Sequence, residues 1–422
     1  MVYSLVCSNR GKNKAKKYSY AHSKGLRSDC CHGGLNIGLR PSNLKVGGIS
    51  VGFLPAEGQS EAPNTPSDIN NVLGVPMAVV SRSIENVLRR QPRLSCASLL
   101  LGGKLCSAFR TRCKSIADRL ALTRTFHSSE FLPSRRYQQL REYSRLKGSP
   151  VWEIALMPVE GLDKVTPETA VNIAKKMASL NAMGITVWLR FAHEMNGDWY
   201  NWGLKPDLFR EKWKLVTATV RHFTTRTLML WSPNSGFGKT HDSILGGYTP
   251  YWPGEGLVDI IGLSLYHYGG LQRLNVLPTP NEAQVIIKEF VNLFGARDHS
   301  RPMVLSETAA SYTRSVRTGQ PEMSRATEHD IKLAWLGQLL SQSMQNEVPE
   351  LKAIVWFEVL KNENADYKSP VKSEDFRLLM GSNRALTQDA ITLLTRHSTY
   401  PGTNKPLRTP LRRPHAENDS ES

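Results

Sequence analysis

Residues 186–199 read TVWLRFAHEMNGDW. A short run of β-branched, aliphatic and aromatic residues ends abruptly in a polar, ring-rich cluster. A run this brief and nearly continuous in hydrophobicity is how a strand buried on both faces of a parallel sheet reads. Side chains alternate along a strand, so Arg190, Ala192 and Glu194 are expected on one side, with Arg190 beneath Glu194.

The same grammar recurs outward from this stretch. Downstream lie 227–232 (TLMLWS), 257–266 (LVDIIGLSLY), 302–307 (PMVLSE) and 352–358 (KAIVWFE). Upstream lie 151–158 (VWEIALMP) and, with a thinner signal, 48–55 (GISVGFLP) and 75–82 (VPMAVVSR). Helix-period stretches separate them. Residues 166–182 carry Thr166 as an N-cap and Pro167 at the first helical position, and close at Gly184. Residues 206–222, 281–294 and 328–345 read similarly. Eight strand candidates alternating with helices predict a closed (β/α)8 TIM barrel over residues 48–396.

The remainder fits less well. Residues 1–47 read as a basic, irregular extension, and 397–422 as a disordered tail. Residues 84–133 are rich in Arg, Ser, Cys and Leu without a clean period, and are expected to be an atypical insertion after strand 2. Residues 134–147 could form a helix. The net charge of +17 sits mostly in these parts. Residues 1–48 and 82–148 sum to about +8 and +11 respectively, which leaves the rest slightly acidic. A nucleic-acid face should lie on the folded core with aromatics interleaved, so no nucleic-acid partner is expected. All six cysteines precede residue 114 with no Cys-x-x-Cys pair, so no zinc site is expected. No apolar run reaches 18 residues, and no membrane span is expected. The opening apolar stretch is too short for a signal-peptide core.

In a barrel of this kind functional groups collect at the C-terminal strand ends. The fourth strand ends in Arg190, His193, Glu194 and Trp199; the fifth in Trp231-Ser232-Pro233-Asn234; the sixth in Tyr266-His267-Tyr268. The seventh ends in Glu307, and the eighth carries Trp356 and Glu358. Glycoside hydrolysis needs two carboxyls astride the scissile bond, with rings on which sugar C–H faces can pack. A strand-end Glu is often only a cap or an ion-pair partner, His193 could be a core histidine, Trp199 and Trp202 could be ordinary packing, and Glu358 reads more readily as a structural ion pair. The coincidence of acids on strands four and seven among rings favours the chemical reading.

These residues carry a resemblance. Segments 186–203 and 300–308 resemble glycoside hydrolase family 26: Arg-x-x-His-Glu, a Trp five residues after that Glu, and a Glu ending strand seven. Trp-Ser-Pro-Asn at 231–234, Tyr-Trp-Pro-Gly at 251–254 and Val-Asp-Ile-Ile-Gly at 258–262 extend it. The resemblance implies a retaining enzyme with Glu194 as acid/base and Glu307 as nucleophile. It places substrate-binding residues at Arg190, His193, Trp199, Tyr266 and Trp356, and Asn234 at the end of strand five is a further substrate-binding candidate. It implies a β-linked polysaccharide as substrate, β-1,4-mannan foremost, and an exported monomer with no cofactor and no metal. A β-1,3-1,4-glucanase or xylanase on the same barrel is the alternative, as is a catalytically impaired carbohydrate-binding barrel.

Overall fold

The computed structural model describes residues 35–57, 62–84, 146–238, 240–269, 275–296, 301–321, 325–364 and 371–396. Eight parallel strands form the barrel: β1 (Ile49–Pro55), β2 (Val79–Ile84), β3 (Val151–Leu156), β4 (Val187–Phe191), β5 (Thr227–Trp231), β6 (Ile260–His267), β7 (Met303–Ala310) and β8 (Leu351–Glu358). Each pairs with its sequence neighbour, β8 pairs with β1, and Phe53 of β1 meets Val80 of β2 to close the ring. Closure removes the open edges of the eight-stranded ring itself.

Helices α1 (Pro66–Leu73), α2 (Pro167–Ala182), α3 (Pro206–Phe223), α4 (Glu282–Phe294), α5 (Glu328–Leu339), α6 (Gln342–Glu347) and α7 (Arg384–Thr395) accompany the strands. The Thr166 side chain caps α2 by accepting from Thr169 N–H. The stretch 328–345 is two helices rather than one. Ser341 Oγ accepts from Met344 N–H at 3.0 Å, which starts a new helix where a single one was expected. The second strand begins at Val79 instead of residue 75. Pro76 has no N–H for a ladder, and its carbonyl accepts from Leu44.

Two apolar layers hold the fold. Inside the barrel, Val79, Val151, Trp188, Leu230, Ile260, Val304, Ala353 and Val355 fill the lower end. Ile37 plugs this layer, and its carbonyl accepts from the Trp188 indole N–H at 2.9 Å. Residues 45–46 also pair antiparallel with β1. The last part of the expected extension therefore packs on and pairs with the barrel. The insertion 84–133 (except Ile84, the last residue of β2), the helix at 134–147 (except its last two residues) and the tail 397–422 lie outside the described residues.

Residues after β7 and β8 build a small antiparallel sheet from Tyr312–Ser315, Leu360–Asn364 and Val371–Asp375. Beyond it the chain turns so that Leu378, Leu379 and Met380 donate their N–H groups to the Glu358 carboxyl at 2.7–3.0 Å. Glu358 thus pins this loop, with the Lys332 charge acting on it from nearby.

Candidate active site

The site begins where β4 stops. Ala192 and Glu194 both have positive φ, 49° and 53°, flanking His193. Such left-handed backbone is costly for residues with a Cβ and survives only where surroundings fix it. Here Ala192 N–H donates to Leu156 of β3, Glu194 N–H to Ser232 after β5, and Trp202 Nε1 to the His193 carbonyl. The strand's alternation therefore ends at Phe191. It is the kinked turn, not simple parity, that brings Glu194 over Arg190.

Glu307 is re-aimed by a second irregularity. It lies inside β7 rather than at its end. The register of β7 slips against both neighbours across residues 305–308, the signature of a β-bulge. Ser306 reaches Ser232 Oγ at 2.6 Å, while Glu307, its immediate neighbour, meets Arg190. Adjacent residues of a regular strand would point to opposite faces.

Arg190 joins these pieces with no solvent exposure. Its Nη1 donates to Glu307 Oε2 at 2.5 Å, its Nε to Ser232 Oγ at 3.0 Å and its Nη2 to Ser264 Oγ at 2.5 Å. Its Nη2 also stands 4.0 Å from Glu194 Oε1. One planar group touches both acids, so their separation stays within the roughly 9.5 Å upper limit for paired glycosidase carboxyls. Tyr266 OH donates to the other Glu307 oxygen at 2.5 Å, and Trp199 Nε1 donates to Glu194 Oε2 at 2.8 Å.

The two carboxyls sit in different surroundings. Burial raises the Glu194 pKa, and the negative charge of Glu307 raises it further; Arg190, Ser264 and Trp199 oppose only in part. Burial, and then the Arg190 charge, hold His193 well below the usual imidazole range, so it is neutral. Tyr266 is driven well above the usual phenol range by burial and then by Glu307, so it remains a donor.

The remaining predicted residues divide by exposure. Trp199 is 46% exposed, its ring lying over Gly197, where a Cβ would come 2.3 Å from a ring carbon. Tyr266 and Asn234 are half-buried. His193 is buried against Tyr200 and Trp202. Trp356 is wholly buried in the main core with Phe53 and Ile354, and its indole donates to the Phe376 carbonyl. Neither Trp356 nor Arg190, both expected as substrate-binding residues, exposes any surface. Strand parity explains Trp356: Ala353 and Val355 face the barrel interior, so Trp356 faces away. Phe357 takes the inward position, edge-on to Tyr266 at 5.8 Å.

Sequence reasoning missed three residues. Asn196 clasps the backbone of Asn234 with both ends of its amide, at 2.9 and 3.0 Å. Ser264 links Arg190 to Glu194. Glu153 of β3 is fully buried, accepts from Ser81 Oγ at 2.9 Å, and feels both Arg190 and Glu307. Burial lifts its pKa to about 8, with the Arg190 charge opposing. A polar residue at an inward position of an otherwise apolar strand was the available signal. Among the described residues, no group of three or more His, Cys, Asp or Glu is placed to hold a metal, and no helix is long and apolar enough to cross a membrane.

The fold and site define a (β/α)8 barrel with two carboxyls paired at its C-terminal mouth. Residues 159–303 match the sequence model of Glycosyl hydrolase family 26, and the resemblance read from the motifs is borne out over that segment. The match includes Glu194 and stops just short of Glu307. The chain is 35% identical over 106 residues to a mannan endo-1,4-beta-mannosidase of Bacillus subtilis, covering 22% of this chain and 27% of that one. It is 25% identical over 155 residues to mannan endo-1,4-beta-mannosidase A and B of Caldalkalibacillus mannanilyticus, covering 34% and 26%. The chain thus spans about a quarter of the length of the curated relatives it matches. A solved structure of a Cellulomonas fimi endo-beta-1,4-mannanase double mutant is similar at a TM-score of 0.47 and 15% identity, covering 84% of this chain and 74% of that one.

Proposed function

We propose that this protein hydrolyses a β-linked polysaccharide, β-1,4-mannan foremost, with retention of configuration. The observation that carries the reading is the shared guanidinium: Arg190 touches Glu307 at 2.5 Å and Glu194 at 4.0 Å. Glu307, acting as a carboxylate, attacks the anomeric carbon. As that bond forms, the bond to the leaving oxygen breaks and Glu194 gives that oxygen its proton. Water then attacks the same carbon, Glu194 takes a proton from it, and the ester to Glu307 breaks.

The charges that these roles require balance. With Glu307 acting as a carboxylate and Glu194 carrying the proton it donates, the cleft pairs one negative charge with the positive Arg190. In the glycosyl-enzyme, Glu307 is a neutral ester and Glu194 is negative. The compensating cation is the same buried guanidinium at both stages. A preorganised charge of this kind needs no rearrangement during reaction. Burying a third carboxyl, Glu153, is compatible with this balance at neutral pH because its raised pKa keeps it protonated. Arg190 is assigned to the acids rather than the sugar, whereas Trp199, Tyr266 and Asn234 are the assigned sugar contacts, with His193 behind them. The substrate preference follows the names of the relatives.

The test is a panel of mannan, barley β-glucan and xylan scored by new reducing ends, with Glu307→Ala alongside. Release from mannan that disappears in Glu307→Ala is expected. Full turnover in that variant would remove the assignment, and release from glucan or xylan alone would move the substrate.

A further inference from the structure

Beyond Trp199 the structure displays a second ring that none of the chemistry above uses. Phe237, in the loop after β5, is 48% exposed, and its ring centre lies 5.5 Å from that of Trp199 at an angle of 37°. An aromatic held in water on a fixed loop marks a contact surface. The loop is fixed from both arms. Asn196 clasps Asn234, Ser235 N–H donates to the Ser264 carbonyl at 2.8 Å, and Gly236 N–H donates to Tyr248 OH at 2.5 Å. On the return arm Gly246 N–H donates to the Asn196 carbonyl at 2.8 Å. The arms approach so closely at Gly238 that a Cβ there would lie 2.3 Å from the Leu245 carbonyl. Phe237 therefore stands between two restrained positions, with its ring turned outward beside Trp199.

The ring pair adjoins the acid, because Trp199 Nε1 donates to Glu194 Oε2 at 2.8 Å. We propose that Phe237 and Trp199 form a two-ring platform for consecutive sugars of the substrate chain, which makes Phe237 a determinant of preference for long chains. This rests on the hydrolase reading and adds to it a residue.

The test compares mannohexaose with mannotriose on wild type, Phe237→Ala and Phe237→Trp. In Phe237→Ala the ratio of kcat/KM for the long to the short substrate should fall about fivefold or more, mainly through KM, the size of one ring contact. Phe237→Trp should restore the ratio. An unchanged ratio, or equal losses on both substrates, would overturn the platform while leaving the hydrolase reading in place. If wild type cleaves neither, the hydrolase reading fails, and calorimetric titration with mannohexaose decides the platform: weaker binding by Phe237→Ala keeps it, equal or absent binding ends it.

Discussion

Arg190 donates to Glu307 at 2.5 Å from a position with no solvent exposure, while Ser232 accepts from its Nε and Ser264 from its Nη2. The hydroxyl protons are then passed on: Ser232 reaches Ser306, and Ser306 donates to the Leu263 carbonyl. The guanidinium is thus fixed in plane and position by β6, β7 and the residue that follows β5. Arg190→Lys keeps the charge but presents a point donor that cannot reproduce the fork. A loss in kcat of about a hundredfold or more is expected, measured by steady-state kinetics on mannan oligosaccharides.

The Trp199–Glu194 bond makes a signed pH prediction. The indole N–H favours the charged form of Glu194 and so opposes the rise caused by burial. Glu194 must hold its proton to begin the reaction, so activity falls as pH rises through its pKa. In Trp199→Phe that opposing bond is gone and the pKa climbs further. The alkaline limb of kcat/KM should move to higher pH, alongside a higher KM for long substrates.

Gly197 gives a test of how Trp199 is held. Its backbone is not in the left-handed region, so alanine is tolerated by the chain itself, but the methyl would enter the space of the Trp199 ring. Gly197→Ala should therefore raise KM about as much as Trp199→Ala. The double variant should add little to either single one, because both remove the same contact.

Glu153 links pH to stability. Its folded pKa of about 8 exceeds the ordinary carboxyl value of 4.5, so the folded state holds the proton more tightly than the unfolded chain. The contribution is fully present below about 4.5 and is lost as pH rises through about 8, with a slope of up to ~1.4 kcal/mol per pH unit between them. Glu153→Gln, which keeps the shape without the titration, should flatten this part of the dependence of Tm on pH. An unaltered dependence would assign the effect to other groups.

Much of this was legible in the sequence because burial on both faces leaves a distinctive mark. All eight apolar runs became barrel strands, and Thr166, Pro167 and Gly184 bound their helix as their chemistry requires. What periodicity could not supply were the departures from periodicity. The positive φ at Ala192 and Glu194 and the bulge at Ser306–Glu307 are set by neighbouring strands, and both are what orient the acids. The face that Trp356 takes was not legible because a tryptophan within a buried strand looks the same in sequence whichever way it points. The neighbours Val355 and Phe357 decide it. Asn196 went unnoticed since its partner is the backbone of Asn234, which has no sequence signature.

Covalent trapping tests the two-carboxyl account most directly. Wild-type protein would be incubated with a 2-deoxy-2-fluoro-β-mannosyl fluoride, which allows the first displacement and stalls the second, and its peptides weighed by mass spectrometry. The account predicts one added fluoromannosyl unit on the peptide carrying Glu307, and none in Glu307→Ala. A label on Glu194 or Glu153, or inversion of configuration in the products with no label at all, would contradict it.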